Sequence, residues 1–207
     1  MKDRDQRSRP KPGFNRRDFL RGSGAAAAAT AMATATSEAV AAQATNTVAA
    51  GDAKEIKLHV NGKEHAVRAE GRTTLLQALR LQLDLTGAKP VSGDGVSGAA
   101  TVLVDGKPMS ASTMLALQCV GKKITTVESL GGANPDAVPQ AFVHNDAQQC
   151  GFCTPGFVVA VRAFLNENPK ATEDEIRDGL NGNICRCGTY ANVIQAALEV
   201  VKGGANG

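Results

Sequence analysis

Four cysteines in two close pairs are the residues of this sequence best suited to chemistry. Cys150 and Cys153 form a C-x-x-C motif, and Cys185 and Cys187 follow later as C-x-C. Residues two apart cannot share a helix face, so the second pair requires a loop. Four such thiolates can converge on one soft metal centre, either zinc or an iron–sulfur cluster. The spacing alone does not choose between these metals.

A basic leader precedes the rest of the chain. Residues 15–21 contain the twin arginines Arg16 and Arg17, a weakly apolar stretch follows at 25–35, and short A-x-A sites lie within 39–44. This pattern predicts a cleavable Tat signal peptide over residues 1–44, a linker over 45–52 and a periplasmic protein. Because Tat carries folded proteins, the thiols would be occupied before they met an oxidising compartment, which argues against disulfides.

The charge of the chain is uneven. Residues 1–44 hold eight basic and four acidic side chains, whereas the remainder holds 15 basic and 16 acidic. The basic excess therefore belongs to the leader, and we expect no nucleic-acid partner for the mature chain. No stretch approaches the roughly 20 apolar residues that span a bilayer, so we expect no membrane span.

Residues 53–131 have the pattern of a small α+β domain. Alternating apolar residues predict a strand over 56–60, and Asn61–Gly62 is a type I′ hairpin signal. Thr74 and Gln77 are spaced as a capping box that opens a helix. Further strands are predicted over 66–69, 101–104 and 124–127. Strands with one covering helix predict a β-grasp fold.

Residues 132–207 have helical periodicity instead. Four helices are predicted. The first covers residues 139–147 and the last covers 190–201. The second begins at a Thr154 cap with Pro155 at its first position, and the third begins at the Thr172 capping box. Each cysteine pair then lies in a link at a helix end. We therefore expect a four-helix bundle with a metal centre between helix ends.

Two segments carry a family resemblance. Residues 149–156, QCGFCTPG, and 182–190, GNICRCGTY, resemble the helical cluster domain of the molybdenum hydroxylases. That family includes xanthine dehydrogenases, carbon monoxide dehydrogenases and aldehyde oxidoreductases. The chain resembles its small iron–sulfur subunit over about residues 54–202, and the Tat leader makes the periplasmic aldehyde oxidoreductase subunit the nearest likeness. The resemblance implies a 2Fe-2S cluster bound by the following cysteines: Cys150, Cys153, Cys185 and Cys187.

The resemblance also implies a role and partners. The chain would be the electron-transfer subunit of an oxidoreductase complex and not catalytic alone. Electrons would come from a molybdenum–pterin cofactor held by a large partner subunit and leave to a flavin or cytochrome subunit. Gln149 would hydrogen-bond the pterin, and Cys187 would both bind the cluster and lie against the pterin.

The sequence departs from the family in its first domain. A plant-type ferredoxin cluster requires four cysteines there, and the aligned residues are Ser92, Ser97, Ala100 and Ser112. A hydroxyl is a hard, poorly ionised donor, and alanine offers no donor, so we expect only one 2Fe-2S cluster. Two explanations account for the missing cysteines. They could have been substituted, naturally or by engineering, in an otherwise ordinary scaffold, or the chain could come from a lineage that uses only one cluster.

Two alternatives to the redox role remain open. The four cysteines could hold zinc in a subunit that only braces a partner, or the chain could be an inactive scaffold. The fifth cysteine, Cys119, lies in an apolar run and is expected to be a small buried residue.

Overall fold

The computed structural model of this chain describes residues 51–204. The predicted signal peptide, residues 1–44, lies outside the described residues, as do most of the predicted linker and residues 205–207. None of the helices in the described range combines the length and the apolar character that a membrane crossing requires.

The first half is a five-stranded mixed sheet. Its strands are β1 (Lys54–Val60), β2 (Lys63–Ala69), β3 (Thr101–Val104), β4 (Lys107–Ser110) and β5 (Lys123–Thr125). Their order across the sheet is β2-β1-β5-β3-β4. β1 pairs antiparallel with β2 and parallel with β5, while β3 pairs antiparallel with β4 and β5. The predicted α+β class is confirmed.

The hairpin turn and the capped helix predicted from local sequence patterns are both present in this half. Asn61 and Gly62 both have positive φ, +51° and +78°, as the hairpin turn between β1 and β2 requires. Helix α1 (Leu75–Leu81) begins with both hydrogen bonds of the Thr74–Gln77 capping box. Its apolar face is buried against the sheet through Leu75, Leu76, Ala78 and Leu79.

The strand boundaries differ from the predicted ones. β2 begins at Lys63 rather than 66, β4 was not predicted, and the strand predicted over 124–127 ends at Thr125. The Thr126 N–H donates to Asn61 Oδ1 at 2.9 Å, while Asn61 Nδ2 donates to Thr126 Oγ1 at 2.9 Å. Because a side chain takes the next backbone donor, the chain turns into a 3₁₀ helix, Val127–Leu130.

The second half holds the four predicted helices. They are α2 (Ala137–His144), α3 (Thr154–Glu167), α4 (Glu173–Gly179) and α5 (Tyr190–Gly204). The Asp136 carboxylate accepts from Val138 N–H at 2.8 Å, which starts α2 two residues before the predicted position and helps to explain the shift from 139–147. The Thr172–Glu175 capping box of α4 is present as predicted.

The predicted Thr154 cap was wrong by one residue. Cys153 is the N-cap of α3, and its carbonyl accepts from Phe157 N–H at 3.1 Å. Thr154 is therefore already in the first turn, and Pro155 stands second rather than first. A hydroxyl at that position does not reach the free N–H groups of the turn.

Helix α3 joins the two halves. Leu103 of β3 and Val159 and Ala163 of α3 form a small shared apolar cluster. Gly156 lies so close to the backbone of Gly98 that an added Cβ would overlap the Gly98 carbonyl oxygen. The division into domains at residues 131 and 132 stays a prediction.

Gly156→Ala should destabilise the fold. The new methyl group would meet backbone atoms that cannot move independently, so we expect a loss of about 1–3 kcal/mol and a lower Tm by circular dichroism. Gly203→Ala is the matched control, because Gly203 is also helical and nothing lies within 4 Å of its added Cβ. Equal melting temperatures for the two variants would contradict the close contact.

Candidate metal centre

Each cysteine pair lies immediately before a helix. Cys150 and Cys153 flank the turn before α3, where Gly151 has φ +78°. Cys185 and Cys187 lie in the link between α4 and α5, where Gly188 has φ +82°. Positive φ is costly for residues with a Cβ, so the two glycines make these turns possible. The predicted placement in links at helix ends is what the structure shows.

The four thiols interact with one another, most strongly across the two motifs. Cys153 interacts with Cys185 and more weakly with Cys150, and Cys187 interacts with Cys150 and more weakly with Cys185. Cys185 is buried and Cys153 partly buried, whereas Cys150 and Cys187 are exposed. The site therefore has an inner pair and an outer pair.

The inner pair contains one acidic and one weakly acidic thiol. Burial raises the pKa of Cys153 to about 12, and contact with Cys185 adds to the rise. Burial also opposes ionisation of Cys185, but hydrogen bonds from Thr189, Cys153 and Gly188 together lower the pKa of Cys185 to about 7. Cys185 therefore ionises more readily than an ordinary cysteine, and the thiolate is the form that binds metals.

Hydrogen bonds involve both the sulfur and the backbone of Cys185. Thr189 Oγ1 lies 3.3 Å from Cys185 Sγ, and backbone hydrogen bonds from Gly188 and Thr189 help to lower the pKa of this thiol. The Cys185 N–H donates to the Tyr190 hydroxyl at 2.7 Å. The N-terminal ends of α3 and α5 add partial positive charge near the thiols. Sequence reasoning assigned no role to Thr189 or Tyr190, although both belong to the motif that carried the resemblance.

The donor set fits a 2Fe-2S cluster. Such a cluster takes two cysteines on each iron, and the site supplies an inner and an outer pair of thiols. Four thiolates are also the ligands of many structural zinc sites.

Thr154 gives a second indication of fit. Its hydroxyl oxygen is buried and has no hydrogen-bond partner in the part of the chain that the structure describes. Buried hydroxyls are almost always hydrogen-bonded. Thr154 directly follows Cys153, so a sulfur-rich group at the cysteines would offer the acceptor that the protein does not.

The predicted pterin contact lies at the outer pair. Gln149 is exposed and directly precedes Cys150, whose thiol meets Cys187. Phe152 and Ile184, which directly precede Cys153 and Cys185 in sequence, are about half exposed, at 50% and 52%. Apolar side chains close in sequence to the cysteines are therefore accessible. The role of Gln149 remains a prediction.

The loop that aligns with a ferredoxin cluster is closed by serines. Ser92 Oγ and Ser97 Oγ share a hydrogen bond of 2.9 Å, and Ser97 N–H donates to Ser92 Oγ at 3.2 Å. Ser112 Oγ pairs with Ser110 Oγ at 2.9 Å, and Ala100 is buried at 4% exposure. These groups satisfy one another and do not fit an iron–sulfur cluster, which requires soft thiolates.

Cys119 lies apart from both places. It is fully buried among the apolar residues of the sheet half, and its Sγ donates to the Leu115 carbonyl oxygen at 3.5 Å. The prediction of a small buried residue is confirmed.

Comparison with known proteins agrees with this geometry. Residues 126–198 match the 2Fe-2S binding domain, and residues 13–33 match the twin-arginine translocation pathway signal sequence. The first match confirms the helical cluster-binding domain. The second confirms the Tat signal, which indicates export to the periplasm.

Relatives cover most of the chain. The nicotine 6-hydroxylase small subunit of Paenarthrobacter nicotinovorans is 39% identical over 153 residues, 74% of this chain and 93% of the relative. The aldehyde oxidoreductase iron-sulfur-binding subunit PaoA of Escherichia coli (strain K12) is 41% identical over 179 residues, 77% of this chain and 78% of the relative. In the crystal structure of quinoline 2-oxidoreductase from Pseudomonas putida 86, a 38% identical chain matches with a TM-score of 0.72, covering 76% of this chain and 99% of that one.

Ser92→Ala should weaken the serine-closed loop. The variant loses both hydrogen bonds to Ser97, so we expect the free energy of unfolding to fall by about 1–2 kcal/mol in urea titrations. Val96→Ala is the control, since this side chain of the same loop is 64% exposed. If the two variants unfold at the same urea concentration, the serine bonds do not stabilise the loop.

Proposed function

This chain belongs to the family of small iron–sulfur subunits of the molybdenum hydroxylases, and we propose that it transfers electrons through one 2Fe-2S centre. The proposed ligands are Cys150, Cys153, Cys185 and Cys187. The observation that carries the proposal is the meeting of four thiols in two pairs at the N-terminal ends of α3 and α5. When bound, the cluster supplies one-electron transfer, and four thiolates are its usual ligands.

The outer pair would be the side that receives electrons. Cys150 and Cys187 are exposed, and Phe152 and Ile184 add apolar surface of the kind that a partner covers. We propose that a large molybdenum subunit docks here. The exposed Gln149 amide would then donate a hydrogen bond to the pterin that this subunit holds.

The proposed substrate class is an aldehyde, oxidised in the large subunit. The Tat leader and the 41% identity to an aldehyde oxidoreductase subunit favour it. The large subunit would shape the substrate pocket, and this chain contributes no catalytic residue of its own.

Electrons would leave from the helical half alone. The serines and alanine at 92, 97, 100 and 112 provide no ligand set for a second cluster in the sheet half. We therefore propose that this chain passes electrons slowly, or not at all, to a flavin partner that would receive them from that second cluster. A cytochrome is the other acceptor class.

Metal analysis and electron paramagnetic resonance test the centre. We expect about two irons per chain, visible absorption, and one paramagnetic signal after dithionite reduction that accounts for one electron. Cys185→Ser should lose the signal, because a hydroxyl replaces a buried thiolate ligand. Cys119→Ser, which changes the cysteine outside the site, should keep the iron and the signal.

Other outcomes would contradict the proposal. A colourless protein with one zinc per chain would support the bracing role instead. Two distinct paramagnetic signals would show that the serine-closed loop also binds a cluster.

A fourfold replacement tests the electron route. Ser92→Cys, Ser97→Cys, Ala100→Cys and Ser112→Cys together should restore a ligand set for the second cluster. In stopped-flow mixing of the whole complex with its substrate, flavin reduction should then be faster than in the unmodified complex. Equal rates, with the second cluster present by its signal, would show that the missing ligands do not limit transfer.

A further inference from the structure

A hydroxyl group lies at the inner cysteine pair. Thr189 Oγ1 is 3.3 Å from the sulfur of Cys185, which is only 6% exposed. The Thr189 carbonyl accepts from Val193 N–H at 3.0 Å, so the first turn of α5 fixes the residue. The first turn of α5 therefore holds the Thr189 hydroxyl in a defined position next to Cys185.

The chemistry of the site decides which atom donates. A thiolate bound to a metal carries no proton, so Cys185 can only accept. Thr189 must then donate its hydroxyl proton to the sulfur. Hydrogen bonds to an ionised acceptor are stronger than those between neutral groups.

Tyr190 holds the same cysteine from its backbone. The Tyr190 hydroxyl accepts from the Cys185 N–H at 2.7 Å. Its ring packs edge-on against the buried Phe157, with centroids 6.0 Å apart and an interplanar angle of 80°. Two successive residues thus fix the main chain and the sulfur of Cys185, which keeps the Thr189 hydroxyl aimed at the sulfur.

We propose that Thr189 is a positioning residue that raises the reduction potential of the centre through its hydrogen bond to Cys185. This inference rests on the proposed function, because it requires a redox-active cluster. The added electron increases the negative charge on the thiolate sulfurs. A donor to a thiolate therefore stabilises the reduced state more than the oxidised state.

The test is a redox titration of the cluster-loaded protein, followed by electron paramagnetic resonance. Thr189→Val keeps the shape of the side chain and removes the hydroxyl. At a fixed potential near the midpoint, we expect the ratio of reduced to oxidised cluster to fall about tenfold, which is about 59 mV for one electron. Thr189→Ser keeps the hydroxyl and should stay close to the unmodified protein.

A second threonine controls for general destabilisation. Thr172 begins α4 with a capping box, so Thr172→Val weakens a helix start without touching a cysteine. We expect its potential to be unchanged. If Thr189→Val does not retain the cluster, Thr189→Ala removes the same hydroxyl with a smaller side chain and is titrated in its place.

The outcomes separate this inference from the proposed function. An iron-free unmodified protein would overturn both. A loaded Thr189→Val protein with an unchanged potential, or one shifted no more than Thr172→Val, would overturn this inference alone. Loss of the cluster from both the Val and Ala variants would also overturn it and would assign Thr189 to cluster assembly.

Discussion

The structure depends on bringing two cysteine motifs, far apart in sequence, to the same point. Neither motif can do this alone, because each supplies one thiol to each pair. Their meeting requires α3 and α5 to begin side by side, and the shared apolar core of the helical half holds both helices in place. The metal site thus depends on helix packing, and the loss of a core contact would change the positions of the cysteine sulfurs.

The two halves of the chain support each other near this point. The Asn183 amide donates to the Gly98 carbonyl oxygen at 3.0 Å, and the Ile184 N–H donates to the Ser97 carbonyl oxygen at 3.0 Å. These bonds join the loop before Cys185 to the serine-closed loop. A loop that has no metal ligands therefore still has a defined shape, because serine pairs close it from within and the helical half holds it from outside.

The centre itself is asymmetric, and the asymmetry suits the proposed role. The outer pair is open to a partner, whereas the inner pair is less exposed and has the Thr189 hydroxyl 3.3 Å from Cys185 Sγ. Exposed thiols favour electron exchange with a partner protein. Buried, hydrogen-bonded thiols favour control of the reduction potential of the cluster. One small site can therefore separate contact with the partner from the setting of the potential.

Features that depend on neighbouring residues could be predicted from the amino-acid sequence alone. The hairpin at Asn61–Gly62, two capping boxes, the helical periodicity and the four cysteines with the serines in the first loop could all be identified in this way. The folded chain was needed to show which thiols interact, where β5 ends, and that the described residues offer buried Thr154 no hydrogen-bond partner while Thr189 contacts a sulfur. These outcomes depend on contacts between residues distant in sequence, such as Asn61 with Thr126, or on the exact start of a helix. A local sequence pattern does not predict such contacts or the exact start of a helix, because both depend on the free energy of tertiary packing.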